Sequence, residues 1–237
     1  VFDTGAKFSD RMNVGASVVV PYFRYLGDDG LDRLIISHGD NDHIGGAQAV
    51  IDAYPNAALW GQDIEDILSD GKQACRAGDQ WHWDGVDFKF LAPLVEDQAD
   101  LKSEKRNNRS CVLRVASPYG SSLFTGDIEG KVERRLLERY GDKLSADILM
   151  VPHHGSNTSS TRPFIATVDP EYSIISVGYR NRYKLPNAKV MARYEALKLP
   201  LVRTDSSGAI MLKVGDEGIE VERYRDKLQR YWHHKLN

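Results

Sequence analysis

Apolar positions along this chain follow two periods in alternation, and no repeat or low-complexity segment interrupts them. Leu31 to Ser37, Asp147 to Val151 and Tyr172 to Val177 are short continuous apolar runs, as expected of buried strands. Val86 to Leu91 and Ser110 to Val115 alternate apolar with polar, as antiparallel strands do when one face meets water. Ser121 to Thr125 follows after a Ser-Pro-Tyr-Gly turn, so it pairs with the run before it. Ala57 to Trp60, Leu201 to Thr204, Ala209 to Val214 and Ile219 to Arg223 read as further strands. Helical spacing marks His43 to Tyr54, with Ile44, Ala47 and Ile51 on one face. It also marks Ile128 to Tyr140, Ala188 to Leu197 and a basic tail from Tyr224 to Leu236, expected as a surface-packed terminal helix. Glu65 to Gly78 is polar and predicts a loop or short helix. Val1 to Gly5 reads as the end of a strand entering a turn, so a strand or hairpin is expected to be missing before it. Strand–helix units mixed with hairpin strands predict the α/β class, with sheets inside, helices outside, and one continuous domain over 1–237.

Bulk properties narrow the field. A chain of 237 residues is long enough to bury a substantial core. No apolar run approaches the roughly 18 to 20 residues needed to span a bilayer, and no signal-peptide pattern is visible. The longest candidate, Gly15 to Tyr25, is broken by Pro21 and Arg24. A net charge of −3 argues against a pure nucleic-acid-binding module with a strong positive field. It leaves room for a nuclease whose metal ions supply the positive charge. Cys75 and Cys111 form neither a CxxC motif nor a disulfide framework. They are expected as buried or free thiols; one disulfide is the alternative, in an oxidising compartment.

Three motifs carry the chemistry, each just past a predicted buried strand. In Ser37-His38-Gly39-Asp40-Asn41-Asp42-His43-Ile44-Gly45-Gly46, His38 and Asp40 share one side of an extended turn. Asp42 and His43 fall at the start of the helix, where they can point to a neighbouring position. Four potential ligands within six residues fit a dinuclear metal site, and Gly45 and Gly46 remove bulk where the helix packs closely. Asp127, in Thr125-Gly126-Asp127, can bridge two cations about 3.5 to 4 Å apart; the competing role is an N-cap for the next helix. In Val151-Pro152-His153-His154-Gly155-Ser156, at least one histidine is expected to close the metal site. The other is free to contact a phosphate or donate a proton. The hydroxyls, amide and N–H groups of Ser156 to Ser160 suit an anionic oxygen.

Together these motifs resemble the metallo-β-lactamase superfamily, whose pattern is HxHxDH, a later His, a bridging Asp and a final His. In detail the chain is most similar to the carboxy-terminal domain of ComEC-type competence proteins. The likeness lies in the HxDxDH variant from His38 to His43, Asn-Arg-Ser-Cys-Val-Leu (Asn108 to Leu113), Thr-Gly-Asp and Val-Pro-His-His-Gly-Ser. It continues through Ser-Val-Gly-Tyr-Arg-Asn-Arg-Tyr (Ser176 to Tyr183) with Pro186, and Arg-Thr-Asp-Ser-Ser-Gly-Ala (Arg203 to Ala209), and so covers nearly the whole chain. The resemblance implies an αββα metallo-β-lactamase-like sandwich: two mixed sheets with helices on the outer faces. It implies a phosphodiester hydrolase, a nuclease that degrades one strand of DNA during transformation. It further implies an extracytoplasmic domain of an inner-membrane protein, partnered by the membrane channel of the same parent and by DNA, single-stranded as the expected form. A Gly-Gln-Gly segment precedes the Asp3 region in that branch and is absent here. Asp3 matches the branch's first-motif Asp, which orients a ligand.

Two departures from the wider superfamily bear on the metal. Asp40 stands where most members have His, and a third His between His43 and Asp127 is missing; His82 lies there, in an expected turn with aromatic packing. The metal ligands are expected among His38, Asp40, Asp42, His43, Asp127, His153 and His154, with two divalent ions bound. Oxygen-rich coordination favours Mn²⁺, with Zn²⁺ the alternative. Asp42, His153 and His154 are expected to take part in catalysis. Asn108, Ser110, Ser156, Asn181 and Arg203 are the expected substrate contacts. Lys105, Arg106 and Arg109, and Arg180, Arg182 and Lys184, flank them as basic clusters that can hold a DNA backbone, with Tyr183 stacking on a base. A small-molecule hydrolase of the same fold, acting on a lactone, thioester, β-lactam or phosphodiester, and a non-catalytic metal-stabilised DNA-binding domain are the competing readings.

Overall fold

The computed structural model describes residues 1–28, 30–67, 71–94 and 104–228. Contacts divide the chain into two compact units, Val1–Asp79 with Phe90–Val112, and Gln80–Lys89 with Leu113–Asn237.

In the first unit, β1 (Lys7–Ser9) and β2 (Met12–Asn13) form a small antiparallel hairpin. A single π-turn, Gly15–Val19, then runs into α1 (Val20–Leu26). Sequence periodicity had not marked this helix. Pro21 lies in its first turn, where a missing N–H costs nothing, and Gly27 at φ +82° closes it in the left-handed conformation. β3 (Arg33–Ile36) and β4 (Ala58–Gly61) pair in parallel, with Leu34 opposite Leu59. Between them the expected helix over 43–54 is two: α2 (Asn41–Ile44) and α3 (Ala47–Ala53). The break falls at Gly45 and Gly46, which the chain crowds from both sides. A Cβ on Gly46 would lie 2.4 Å from the Gly15 nitrogen, and one on Gly45 2.2 Å from the Lys7 nitrogen. Leu34, Ile36, Leu59, Val50, Ile51 and Val20 fill the core of this unit.

Cys75 and Cys111 are both fully buried and joined in a disulfide, which corrects the expectation of thiols. The pairing follows from packing. The Cys111 N–H donates to the Ser37 carbonyl at the end of β3 (2.9 Å), which sets Cys111 with its Cα 6.0 Å from that of Cys75. The described residues of 65–78 are irregular, as their polarity predicts.

The second unit is built on a seven-stranded mixed sheet in the order β11-β10-β9-β8-β7-β6-β5. β5 (Gln80–Trp83) and β6 (Val86–Ala92) form a hairpin closed by Asp84 and Gly85, both at positive φ. Residues 81–83, expected in a turn, are therefore strand, because Trp81 stacks on Phe88 across the pair at 4.9 Å. β7 (Val112–Ser117) and β8 (Gly120–Phe124) are antiparallel. α4 (Gly130–Tyr140) leads to β9 (Ile148–Met150), α5 (Arg162–Val168) to β10 (Tyr172–Ile175), and α6 (Ala188–Ala196) to β11 (Leu201–Arg203). From β8 to β11 all neighbours are parallel. α7 (Thr204–Ser207), the hairpin β12 (Ile210–Gly215) with β13 (Gly218–Arg223), and α8 (Tyr224–Lys227) follow. Ile210, Leu212 and Ile219 of that hairpin pack on Ile148, Ile174 and Val202. The helical tail expected over 224–236 is seen as α8; 229–236 lies outside the described residues.

Candidate metal centre

The first unit places a group of donors at the end of β3. Ser37 and His38 are fully buried, and His43 nearly so. The His43 Nδ1 lies 2.8 Å from Oδ2 of Asp3. The Ser37 hydroxyl donates to that oxygen (2.9 Å) and accepts from Nδ1 of His38 (3.0 Å). With both Nδ1 atoms engaged, both Nε2 atoms present lone pairs. The His38 Nε2 lies 3.5 Å from Oδ2 of Asp40, and the His43 Nε2 4.0 Å from Oδ2 of Asp42. The two rings sit 4.2 Å apart, centroid to centroid. Asp40 occupies the N-cap position of α2 without a side-chain cap bond. Its other oxygen accepts from Arg106 instead (3.0 Å). Asp42 is the most exposed of these donors, with its side chain 52% exposed.

The second unit repeats the logic. Asp127 follows β8 and is buried. Its alternative role as a helix cap is not seen, since Glu129 holds the N-cap position of α4. His153 and His154 both adopt left-handed backbone, at φ 52° and 51°. The His153 N–H donates to Gly126 O (3.1 Å), which folds the pair back over Asp127. The Nε2 atoms of His153 and His154 lie 3.7 and 3.6 Å from opposite oxygens of Asp127. Their Nδ1 atoms are engaged by Thr158 Oγ1 (3.1 Å) and the Ser176 carbonyl (2.7 Å).

Four imidazoles thus share one arrangement: Nδ1 tied to a neighbour, Nε2 facing a carboxylate at 3.5–4.0 Å. That spacing is too long for a hydrogen bond. It is close to the separation of two ligand atoms that share one cation at bonds of about 2.0–2.2 Å. The donor set therefore fits divalent metal.

The expected substrate contacts are occupied in different degrees. Asn108 is buried on the 3-10 turn Arg106–Arg109, and the Ser110 hydroxyl donates to Asn107 O (2.7 Å). Ser156 shares a hydrogen bond with Thr158 (3.1 Å). Asn181 bridges the N–H and carbonyl of Leu185 (3.0 and 2.7 Å), so its amide holds its own loop. Arg203 forms a two-point ion pair with buried Asp205 (3.0 and 2.6 Å). His82 is exposed on β5, 2.8 Å from Asp87.

Sequence reasoning missed two supports. Asp63, at φ 56°, accepts from Arg109 (3.0 Å), and a Cβ on Gly39 would meet its own Cβ at 2.6 Å. Glu133, fully buried in α4, accepts the N–H groups of Ser160 (2.5 Å) and Thr161 (2.8 Å). Arg193 donates to the carbonyls of Ser159 and Ser160 and to Asn157. Together they fix the loop beyond the histidine pair. Neither carries a motif, because each acts on groups distant in sequence.

A mixed α/β chain with imidazoles and carboxylates set past the ends of its strands has the architecture of metal-dependent hydrolases of the β-lactamase type. The chain belongs to the metallo-beta-lactamase superfamily, whose family model matches residues 1–179. It is 39% identical over 235 residues to competence protein ComA of Neisseria gonorrhoeae, covering 99% of this chain and 32% of that protein. It is 34% identical to recombination protein 2 of Haemophilus influenzae, covering 98% of this chain and 28% of the relative. The chain thus spans about a third of the length of these relatives. Among solved structures, a variant of the CmlA beta-hydroxylase matches with a TM-score of 0.50 at 12% identity, covering 82% of this chain and 45% of that one; the likeness is one of fold. No helix of the described residues is long and apolar enough to cross a membrane.

Proposed function

We propose that this chain is a two-metal phosphodiesterase that cuts DNA, the nuclease portion of a larger DNA-uptake protein. The observation that carries the reading is the fourfold arrangement of tied Nδ1 and carboxylate-facing Nε2. His38, Asp40, Asp42, His43 and Asp127 would hold the ions, with one of His153 and His154 closing the site, within a single functional domain. Asp40 and Asp42 make the donor set rich in oxygen, which favours Mn²⁺ over Zn²⁺. Bound there, two divalent ions supply Lewis acidity and a lowered pKa for water. Asp42, the exposed carboxylate, is assigned as proton acceptor for the attacking water. One of His153 and His154 steadies the charge that develops on the phosphoryl oxygens. Asn108, Ser110, Ser156, Asn181 and Arg203 are assigned to the substrate side, Asn181 and Arg203 by shaping the loops that carry them. The relatives' names as competence and recombination proteins support DNA as substrate and a channel-bearing parent. The buried disulfide supports an oxidising, extracytoplasmic setting.

The test is cleavage of DNA blocked at either end, with Mn²⁺ added, by the wild-type chain and by Asp127→Ala and His43→Ala. Metal-dependent cleavage lost in both variants is the expected result. Cleavage that survives either change marks a contaminant, and turnover of nitrocefin without DNA cleavage assigns the site to a small-molecule hydrolase.

A further inference from the structure

We propose that residues 178–185 form a stacking platform for unpaired nucleotides, so that the site takes single-stranded DNA in preference to duplex. The inference rests on the phosphodiesterase reading and adds to it the device that selects the form of the substrate.

The segment is fastened at both ends to the histidine pair. At its start, the Ser176 carbonyl holds Nδ1 of His154 (2.7 Å), and the Val177 N–H donates to Thr204 Oγ1 (2.7 Å). At its end, Pro186 packs against Gly155, where an added Cβ would lie 2.7 Å from its own, and the Asn187 N–H donates to Gly155 O (2.9 Å). Between these anchors the loop is tied to itself. Arg180 and Lys184 are left-handed, at φ 50° and 55°. Asn181 binds Leu185 through both ends of its amide. Tyr179 and Tyr183 therefore stand on a segment attached at both ends beside His154.

The loop carries two matched pairs. The Arg180 guanidinium lies 5.2 Å from the Tyr179 ring centre, and that of Arg182 4.7 Å from the Tyr183 ring centre. Tyr183 is 65% exposed. Among the described residues no carboxylate lies within 4 Å of Arg180, Arg182 or Lys184. Arg203 and Lys213, by contrast, have acidic partners. Three cations and two tyrosines thus alternate along one short segment. Each cation–π pair holds its ring in place before any ligand arrives. An exposed ring offers a face to a base, and a base is open to stacking only when its strand is unpaired; the cations track the phosphates of either form. The duplex keeps its base faces inside, so the tyrosines add nothing to its binding.

The experiment compares binding and chemistry in the same chain. Fluorescence anisotropy, with metal chelated, measures affinity for a labelled oligothymidylate and for a duplex of equal length. Hydrolysis of bis(p-nitrophenyl) phosphate with Mn²⁺ reports the metal site without a nucleobase. We expect Tyr183→Ala to weaken oligothymidylate binding about tenfold, Tyr183→Phe to retain it, and duplex binding to change in neither. Arg180→Gln with Arg182→Gln should weaken both forms and flatten their salt dependence. Hydrolysis of the small ester, compared between the variants, shows whether the metal site stays assembled in each. Unchanged oligothymidylate binding in Tyr183→Ala, or an equal loss for duplex, overturns the platform. If the wild-type chain hydrolyses neither the ester nor DNA, the phosphodiesterase reading fails, and the binding comparison still decides the platform by itself.

Discussion

Oδ2 of Asp3 lies 2.8 Å from Nδ1 of His43, and the same carboxylate accepts the N–H and the hydroxyl of Ser37. One side chain, forty positions from His43, thereby fixes the ring of one donor and the hydroxyl that fixes another. Asp3→Ala removes the acceptor for both. Metal affinity should fall by about 10- to 100-fold, the usual cost of losing such an outer partner. Calorimetric titration with Mn²⁺ checks this, and an unchanged affinity would remove Asp3 from the site.

Asp40 presents one oxygen to His38 and gives the other to Arg106. Replacing it by imidazole makes the donor set softer. Asp40→His should therefore shift preference from Mn²⁺ toward Zn²⁺. Competition between the two ions, read by elemental analysis of the recovered protein, is the measurement. Zinc preferred equally by the parent chain would contradict the oxygen-rich assignment.

Local pattern exposed most of this architecture, and tertiary packing decided the rest. The strands over 31–37, 147–151 and 172–177 were legible because continuous burial leaves continuous apolar runs, and the structure places β3, β9 and β10 there. Gly45 and Gly46 announced a close approach, and the partner proved to be Gly15 and the chain near Lys7. The disulfide stood in the sequence only as the alternative to thiols, since two cysteines separated by 36 positions meet only once Cys111 has docked on Ser37. The helix α1 was hidden too. Its exposed Tyr22, Tyr25 and Leu26 mix with buried Val20, so its apolar positions trace no single face. Glu133 and Arg193 lie on helices among other charged residues, and only the loop folded between them reveals their task.

The disulfide closes a loop of 36 residues. Chain-entropy reasoning for such a loop gives about 3–4 kcal/mol of stability. Cys75→Ala with Cys111→Ala should lose a stability of that order in urea unfolding. Dithiothreitol should lower the wild-type midpoint in the same direction and leave the double variant unmoved. Equal midpoints for wild type and double variant would show the crosslink to be energetically idle.

Burial pushes the Glu133 carboxyl above its ordinary value, while the N–H donors of Thr161 and Ser160 and the charge of Arg193 draw it back. The folded value lies above the unfolded one. The stabilising contribution is therefore complete below the ordinary Glu range and declines as pH rises toward the raised folded value. Glu133→Gln abolishes that titration. Its cost, relative to wild type, should be greater at pH 4 than at pH 7 in parallel urea titrations. A cost that grows with pH instead would mean that the hydrogen bonds outweigh desolvation.

Gly155 follows two left-handed histidines and is itself at φ +77°, with the Cβ of Pro186 2.7 Å from where its own would stand. A methyl group there meets a rigid ring, and the strained backbone adds to the clash. Gly155→Ala should therefore shift Pro186 or the histidine pair and lose about 1–3 kcal/mol of stability. A displacement of about 1 Å at the pair is enough to lower turnover by the proposed phosphodiesterase about 100-fold. Gly215→Ala is the matched control, since nothing lies within 4 Å of a Cβ at that position and its φ is not in the left-handed region. The control should keep wild-type stability and turnover. Equal activity in both variants would show that the contact between Gly155 and Pro186 does not set the geometry of His153 and His154.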